Sequence, residues 1–224
     1  DVEPREDFIE VMISNYEVYK GLVSCWPYQR FEKLYEHLNF VFNLGAVVIL
    51  SSLKPEGAYG PCMLISREDY ERVGGHEAVK DKIVEDLYFG NLCMKKGLRV
   101  SNFLGNGYVK FRMYPGGFRD LFQGFVKNSA KGAISLSLYK LFLIFIWFYG
   151  ICASFILESL LNTFYLLFSF QFYVITRRLG DYNIYDALLY PVHFLFAFIV
   201  IFYSSLRTIL FKNVLWKGRK INVH

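Results

Sequence analysis

The sequence predicts an α/β layer followed by a membrane-spanning α-helical part. Three observations point there. Residues 1–138 alternate short strand and helix signals separated by Gly, Pro and Asn turns, and residues 139–224 hold three runs almost free of charge. Charge divides at the same place. Residues 1–138 carry 17 Lys and Arg against 17 Asp and Glu, whereas residues 139–224 carry 8 against 3, so the whole net +5 belongs to the apolar part. A chain of 224 residues that is 54% hydrophobic must bury or embed most of its surface. Cations gathered around apolar runs suit anionic lipid, because nucleic-acid binders carry theirs on a soluble face, and nucleic acid is set aside as a partner. The four cysteines form no C-x-x-C pair and the four histidines no zinc spacing, so neither a disulfide framework nor a structural metal is indicated.

The elements of the first part follow in order. Pro4 near a helix start, Glu6 and Asp7 in the first turn, and Phe8, Val11, Met12 and Tyr16 at three-to-four spacing predict an amphipathic helix that Gly21 ends. Leu22 to Trp26 reads as a strand closed by Pro27, and Phe31 to Leu50 as a long apolar helix with Glu32, Lys33 and Glu36 on its wet side. After the turn-rich KPEGAYGP, Cys62 to Ile65 is a short strand. Ser66 and Asp69 have capping-box spacing, which predicts a helix over Arg67 to Val73 stopped by Gly74-Gly75. Val84 to Lys96 is another helix, with Lys95 and Lys96 complementing its C-terminal dipole. Strands Arg99 to Leu104 and Tyr108 to Arg112 flank the turn residues Asn106-Gly107. Phe118 to Lys131 mixes aromatics with Arg119, Gln123, Lys127 and Asn128, the make-up of a helix lying along a membrane interface.

Leu141 to Leu157 and Ser159 to Thr176 are each uncharged over about 17–18 residues, the short end of what crosses a bilayer core, with a tight turn at Glu158 and Asn162 between them. Ala187 to Leu206 holds 20 uncharged residues and is followed by Arg207, Lys212, Lys217, Arg219 and Lys220. Core helices of a soluble bundle show a polar face every turn, and LFLIFIWFYGICASFIL does not. The positive-inside rule places residues 1–138 in the cytoplasm, with one segment re-entrant or interfacial if the basic C-terminus is to stay inside, and VLWKGRK suits the headgroup layer. The expected location is the cell membrane, multi-pass.

Glu85-Asp86 sits where a loop becomes a helix, a rigid mount for a general base. About two adjacent acidic pairs are expected by chance from this composition, and Glu6-Asp7 and Glu68-Asp69 are others, so the pair alone is a weak signal. Gly60-Pro61-Cys62 and Gly74-Gly75-His76-Glu77 allow backbone to approach a sugar or phosphate, although without context such segments are more often ordinary turns.

The ordered combination YEHLNFVFN, GPCMLISREDYERVGGHEAV, VED, FRMYPGG and LFQGFVKNSAKGA resembles membrane-bound family-2 glycosyltransferases, and within them the 4,4'-diaponeurosporenoate glycosyltransferase-like group. The resemblance implies the C-terminal portion of a GT-A (Rossmann-like) domain followed by two to three membrane helices. Residues 1–117 would be a partial GT-A catalytic domain, 118–138 the interfacial helix, and 139–224 the transmembrane region with its basic tail. It implies an inverting transfer of a sugar from a nucleotide sugar, a UDP-sugar in the first instance, to a lipid-soluble acceptor. Asp86 would be the general base and Glu85 would shape the pocket, while Gly60, Pro61 and Cys62 lie beside the donor sugar. Gln123 and Lys127 would bind donor or acceptor. The family's D-x-D motif holds a divalent cation, Mg²⁺ or Mn²⁺, and Asp1 would be its last Asp, so the chain is expected to lack most of the nucleotide-binding half and to be inactive alone. The Q/R-x-x-R-W motif of related processive enzymes is missing: Gln123 to Asn128 instead fits a Gly-Trp-x-Lys-Asn form with Phe125 for Trp. The competing expectation is a non-catalytic membrane-anchored interaction protein, or one half of a split enzyme. A transporter is disfavoured, since Glu158 is the one ionisable group of residues 141–176 apart from the tyrosines and cysteine.

Overall fold

A computed structural model of the chain describes residues 2–51, 55, 57–82, 84–132, 139, 142–143, 146–147, 149–151, 153, 163–211, 213–216 and 219–222. Asp1, most of the Leu141–Leu157 run and the expected turn at Glu158 and Asn162 lie outside them. The chain divides into two compact units, Asp1–Arg30 with Gly45–Met113, and Phe31–Leu44 with Tyr114–His224.

In the first unit, strand β1 (Val2–Pro4) leads into helix α1 (Phe8–Tyr19), then β2 (Leu22–Trp26) and β3 (Tyr28–Gln29). Helix α2 (Phe40–Ser51) begins in the second unit and ends in the first. After it come β4 (Met63–Leu64), α3 (Arg67–Val73), a 3-10 turn at His76–Val79, α4 (Glu85–Lys95), β5 (Val100–Leu104) and β6 (Val109–Phe111). Strand β2 is central in one sheet, parallel to β5 and antiparallel to β4. Strand β6 is central in the other, antiparallel to β1 and parallel to β3. Alternation along β2 sends its side chains to two cores. Leu22 packs with Val73, Val79, Phe89, Cys93 and Val100, whereas Val23 and Cys25 pack with Met12 and Val109. A parallel pair covered on both faces is why LVSCW reads as a continuous buried run.

Most local expectations hold for a visible reason. The Ser66 side chain accepts from the Asp69 N–H, and Gly74 adopts the left-handed conformation, φ 92°, that ends α3. Three expectations change. The Phe31–Leu50 helix is instead a 3-10 turn, Leu34–Asn39, followed by α2. Glu36 is the cause: its carboxylate turns back to accept from the N–H groups of Glu32, at 2.7 Å, and Lys33, at 3.3 Å, so it is buried rather than on a wet face. Pro4 closes a strand instead of opening a helix, because Val2 to Pro4 pair with Phe111 to Val109. The Asn106-Gly107 turn forms, yet the strands it separates join different sheets.

The second unit contains α5 (Phe118–Gly132), α6 (Thr163–Thr176), α7 (Ile184–Leu188), α8 (Tyr190–Phe211) and an antiparallel hairpin of β7 (Asn213–Trp216) and β8 (Arg219–Asn222), where the sequence suggested only an interfacial tail. Phe40 is its aromatic centre, stacked on His193 at 4.7 Å with Phe172 and Tyr182 edge-on. His37 Nδ1 meets Asp186 Oδ1 at 2.8 Å, and Asp186 and Asn183 cap α7 reciprocally. Helix α5 buries Leu121, Phe125 and Val126, and Ser204 Oγ of α8 donates to the Val126 carbonyl at 2.7 Å. Among the described residues one helix, Tyr190–Phe211, is long and apolar enough to cross a membrane, with mean hydropathy 2.0, while α6 is apolar but shorter. The Ala187–Leu206 run is thus interrupted: Ala187 and Leu188 belong to α7, and Pro191 opens α8 where its missing N–H costs nothing.

Candidate active site

The site is built on the loop 57–60, the first turn of α4 and the facing middles of β2 and β5, all within the first unit. Asp86 occupies the second position of α4, and its Oδ1 accepts from the Leu87 N–H at 2.9 Å. Its Oδ2 accepts from the Gly60 N–H at 3.0 Å. A Cβ at position 60 would stand 2.7 Å from that oxygen, so only glycine lets the loop backbone come so close. A second close approach fixes the loop further back. A Cβ on Gly90, one turn along α4, would meet the Ala58 nitrogen at 2.4 Å.

Two residues of the paired strands β2 and β5 hold the same loop from the other side. Ser24 and Asn102 face each other in the β2–β5 register, with Ser24 Oγ donating to Asn102 Oδ1 at 2.6 Å. Ser24 Oγ in turn accepts from the Tyr59 N–H at 2.9 Å, and Asn102 Nδ2 donates to the Leu50 and Gly57 carbonyls at 2.8 and 3.0 Å. These two residues are absent from the sequence-based candidates. The one available signal is Asn102 itself, since Asn is depleted inside strands and VSNFL has no other polar residue of that size.

Opposed effects act on the Asp86 carboxyl. Burial raises its proton affinity above the ordinary carboxylate range, the N–H donors from Leu87 and Gly60 pull it down, and Glu85 adds a smaller upward push; the net direction is up. Each oxygen accepting one N–H keeps a further lone pair. A rigidly held carboxylate of this kind can take a proton from a hydroxyl placed against it. Glu85 is exposed at the helix start. Cys62 follows Gly60-Pro61 into β4 and its carbonyl accepts from the Cys25 N–H at 2.9 Å; burial pushes the Cys62 thiol up to about 11 and Cys25 to about 12, so neither is a ready nucleophile. His76 belongs to a turn: Nδ1 lies 3.0 Å from the Tyr70 hydroxyl, and its ring stacks on Phe89 at 4.6 Å.

The sequence candidates therefore fall into groups. Asp86, Glu85, Gly60, Pro61 and Cys62 lie in the first unit, where Asp86 and Gly60 are directly bonded. Gln123 and Lys127 are half-buried on α5 of the second unit. Asp1, the expected metal ligand, lies outside the described residues. Among the described residues no three His, Cys, Asp or Glu side chains gather as a metal site, so they do not by themselves fit the expected divalent cation.

Comparison with known proteins places the chain in a family. The profile of Glycosyl transferase family 21 matches residues 1–224. Two 4,4'-diaponeurosporenoate glycosyltransferases are similar: that of Staphylococcus haemolyticus (strain JCSC1435) is 34% identical, over 100% of this chain and 65% of its own length, and that of Staphylococcus aureus (strain MRSA252) is 31% identical, over 98% and 64%. The chain thus spans less than two thirds of the length of these relatives. No solved structure matches it. With the family profile covering every residue, and both relatives aligned along nearly all of it, the chain belongs to Glycosyl transferase family 21.

Proposed function

We propose that this chain is the acceptor-activating and membrane part of an inverting glycosyltransferase that moves a sugar from a nucleotide sugar to a lipid-soluble acceptor, with Asp86 as general base. The observation that carries the reading is the Asp86 carboxylate, fixed by the Gly60 and Leu87 N–H groups with its proton affinity raised by burial. The family and the names of its relatives support glycosyl transfer. A UDP-sugar as donor and a GT-A fold for the catalytic part go with the motif resemblance.

The chemistry asked of the chain is a single displacement. The acceptor O–H gives its proton to an Asp86 oxygen as the oxygen attacks the anomeric carbon; the new C–O bond forms while the bond to the diphosphate breaks, the diphosphate leaves with the electron pair, and the configuration inverts. Asp86 needs no covalent intermediate, only a fixed position, which Gly60, Ser24 and Asn102 supply through the loop. A divalent cation bound in the whole protein would neutralise the diphosphate, but the described residues do not assemble its ligands and no step above passes through it. At the membrane, α8 would span and tie the protein to the bilayer that holds the acceptor. The catalytic part would face the cytoplasm, and the further apolar runs would make the protein multi-pass.

Asp86→Asn in the intact protein, assayed in membranes, is expected to lower transfer by about 10²–10⁴-fold while the protein still enters the membrane fraction. Undiminished turnover would remove Asp86 from the mechanism.

A further inference from the structure

We propose that a cleft between α5 and α8 holds the phosphate of an anionic phospholipid. The cleft has a volume of about 120 Å³ and is lined by Arg119, Phe122, Gln123, Val126, Tyr203 and Arg207. Both helices belong to the second unit, and they are fastened beside the cleft by the Ser204–Val126 hydrogen bond and by the Phe122 and Tyr203 rings at 5.6 Å.

Three features select the ligand. Two arginines and one glutamine line the space and, among the described residues, no acidic residue does, so a small anion is the complement; guanidinium forks match phosphate oxygens in pairs. Depth selects lipid over a soluble anion. Arg207 lies near the end of the 22-residue apolar helix, its guanidinium over the Phe211 ring at 5.0 Å, and Lys212, Lys217, Arg219 and Lys220 follow. That is the level at which a snorkelling arginine meets headgroups, on the side the positive-inside rule places against the anionic leaflet. Room for the acyl chains lies alongside: Phe202, Leu206 and Ile209 of α8 are exposed, forming an apolar bank next to the charged cleft. A polar head in the cleft and tails on this bank describe one amphiphile.

The test needs no sugar donor, which keeps its outcome apart from that of the transfer reaction. The intact protein is purified in detergent, equilibrated with mixed micelles of phosphatidylglycerol and phosphatidylcholine in equal amounts, and its co-purifying lipid is quantified by mass spectrometry. Phosphatidylglycerol should be enriched. Arg119→Gln and Arg207→Gln should each reduce the enrichment about fivefold and together about thirtyfold. Equal retention of the two lipids, unchanged enrichment in the double Gln variant, or displacement by inorganic phosphate or diphosphate would overturn the assignment, the last in favour of a soluble anion. Should the double variant fail to fold, the exposed Arg119→Gln alone decides the matter.

Discussion

Asp86 shows how one side chain can be both held and poised. Its two N–H donors favour the ionised form, burial disfavours it, and burial wins. A base must be ionised to act, so the rate should fall as the pH drops through a midpoint above the ordinary aspartate value of about 3.9. A pH profile of kcat/KM checks this; an acid limb at or below the ordinary value would contradict it. Stability runs the other way. With the folded pKa raised, the contribution of Asp86 is full below the ordinary value and is lost as the pH rises through the raised one. Asp86 and Gly60 were candidates in the sequence through the ordered motifs that resemble a known family, since a helix start or a glycine turn alone is a weak signal. Ser24 and Asn102 were not, since their meaning lies in a register between strands 78 residues apart that no local pattern encodes. Glu36 misled for the complementary reason: a charged residue at helical spacing is usually solvated, and here nearby backbone N–H groups took the place of water.

At the scale of elements, the boundaries that were legible are those with a chemical stop or start. Helix α3 is the clearest, capped by Ser66 and ended by Gly74. Ser66→Ala should cost about 1 kcal/mol locally, seen as faster hydrogen exchange at the α3 amides, Asp69 first, with α1 unaffected. Unchanged protection at Asp69 would show that the cap is not what holds the turn. The sheets were less legible than their strands. Periodicity identified LVSCW and VSNFL as strands but could not say that they pair in parallel, nor that the strand after Asn106-Gly107 goes to another sheet. Pairing is a tertiary choice, fixed here by α3 and α4 covering one face of β2 and α1 the other.

At the scale of the molecule, composition alone separated an apolar from a polar part, and α8 gives that division a physical form. Phe198 lies mid-helix with 57% of its surface exposed. On a soluble helix its replacement by Arg would be nearly neutral, but at the centre of a bilayer an arginine costs roughly 2.5–3.5 kcal/mol. Phe198→Arg should therefore shift the protein out of the alkali-washed membrane fraction, and an unaltered distribution would argue that α8 does not span. The path of the chain adds a constraint of another kind. Residues 31–44 lie in sequence between two stretches of the first unit yet bury Phe40 and Leu44 in the second. No single cut in the gene can separate the two: deleting everything after Met113 would leave Phe40 without its partners Phe172, Tyr182 and His193, exposing an aromatic surface in the middle of what remained. The second unit is consequently not an appendage that evolution or an engineer could swap at one junction, and inheritance of the two units as one piece is written into where those fourteen residues fold.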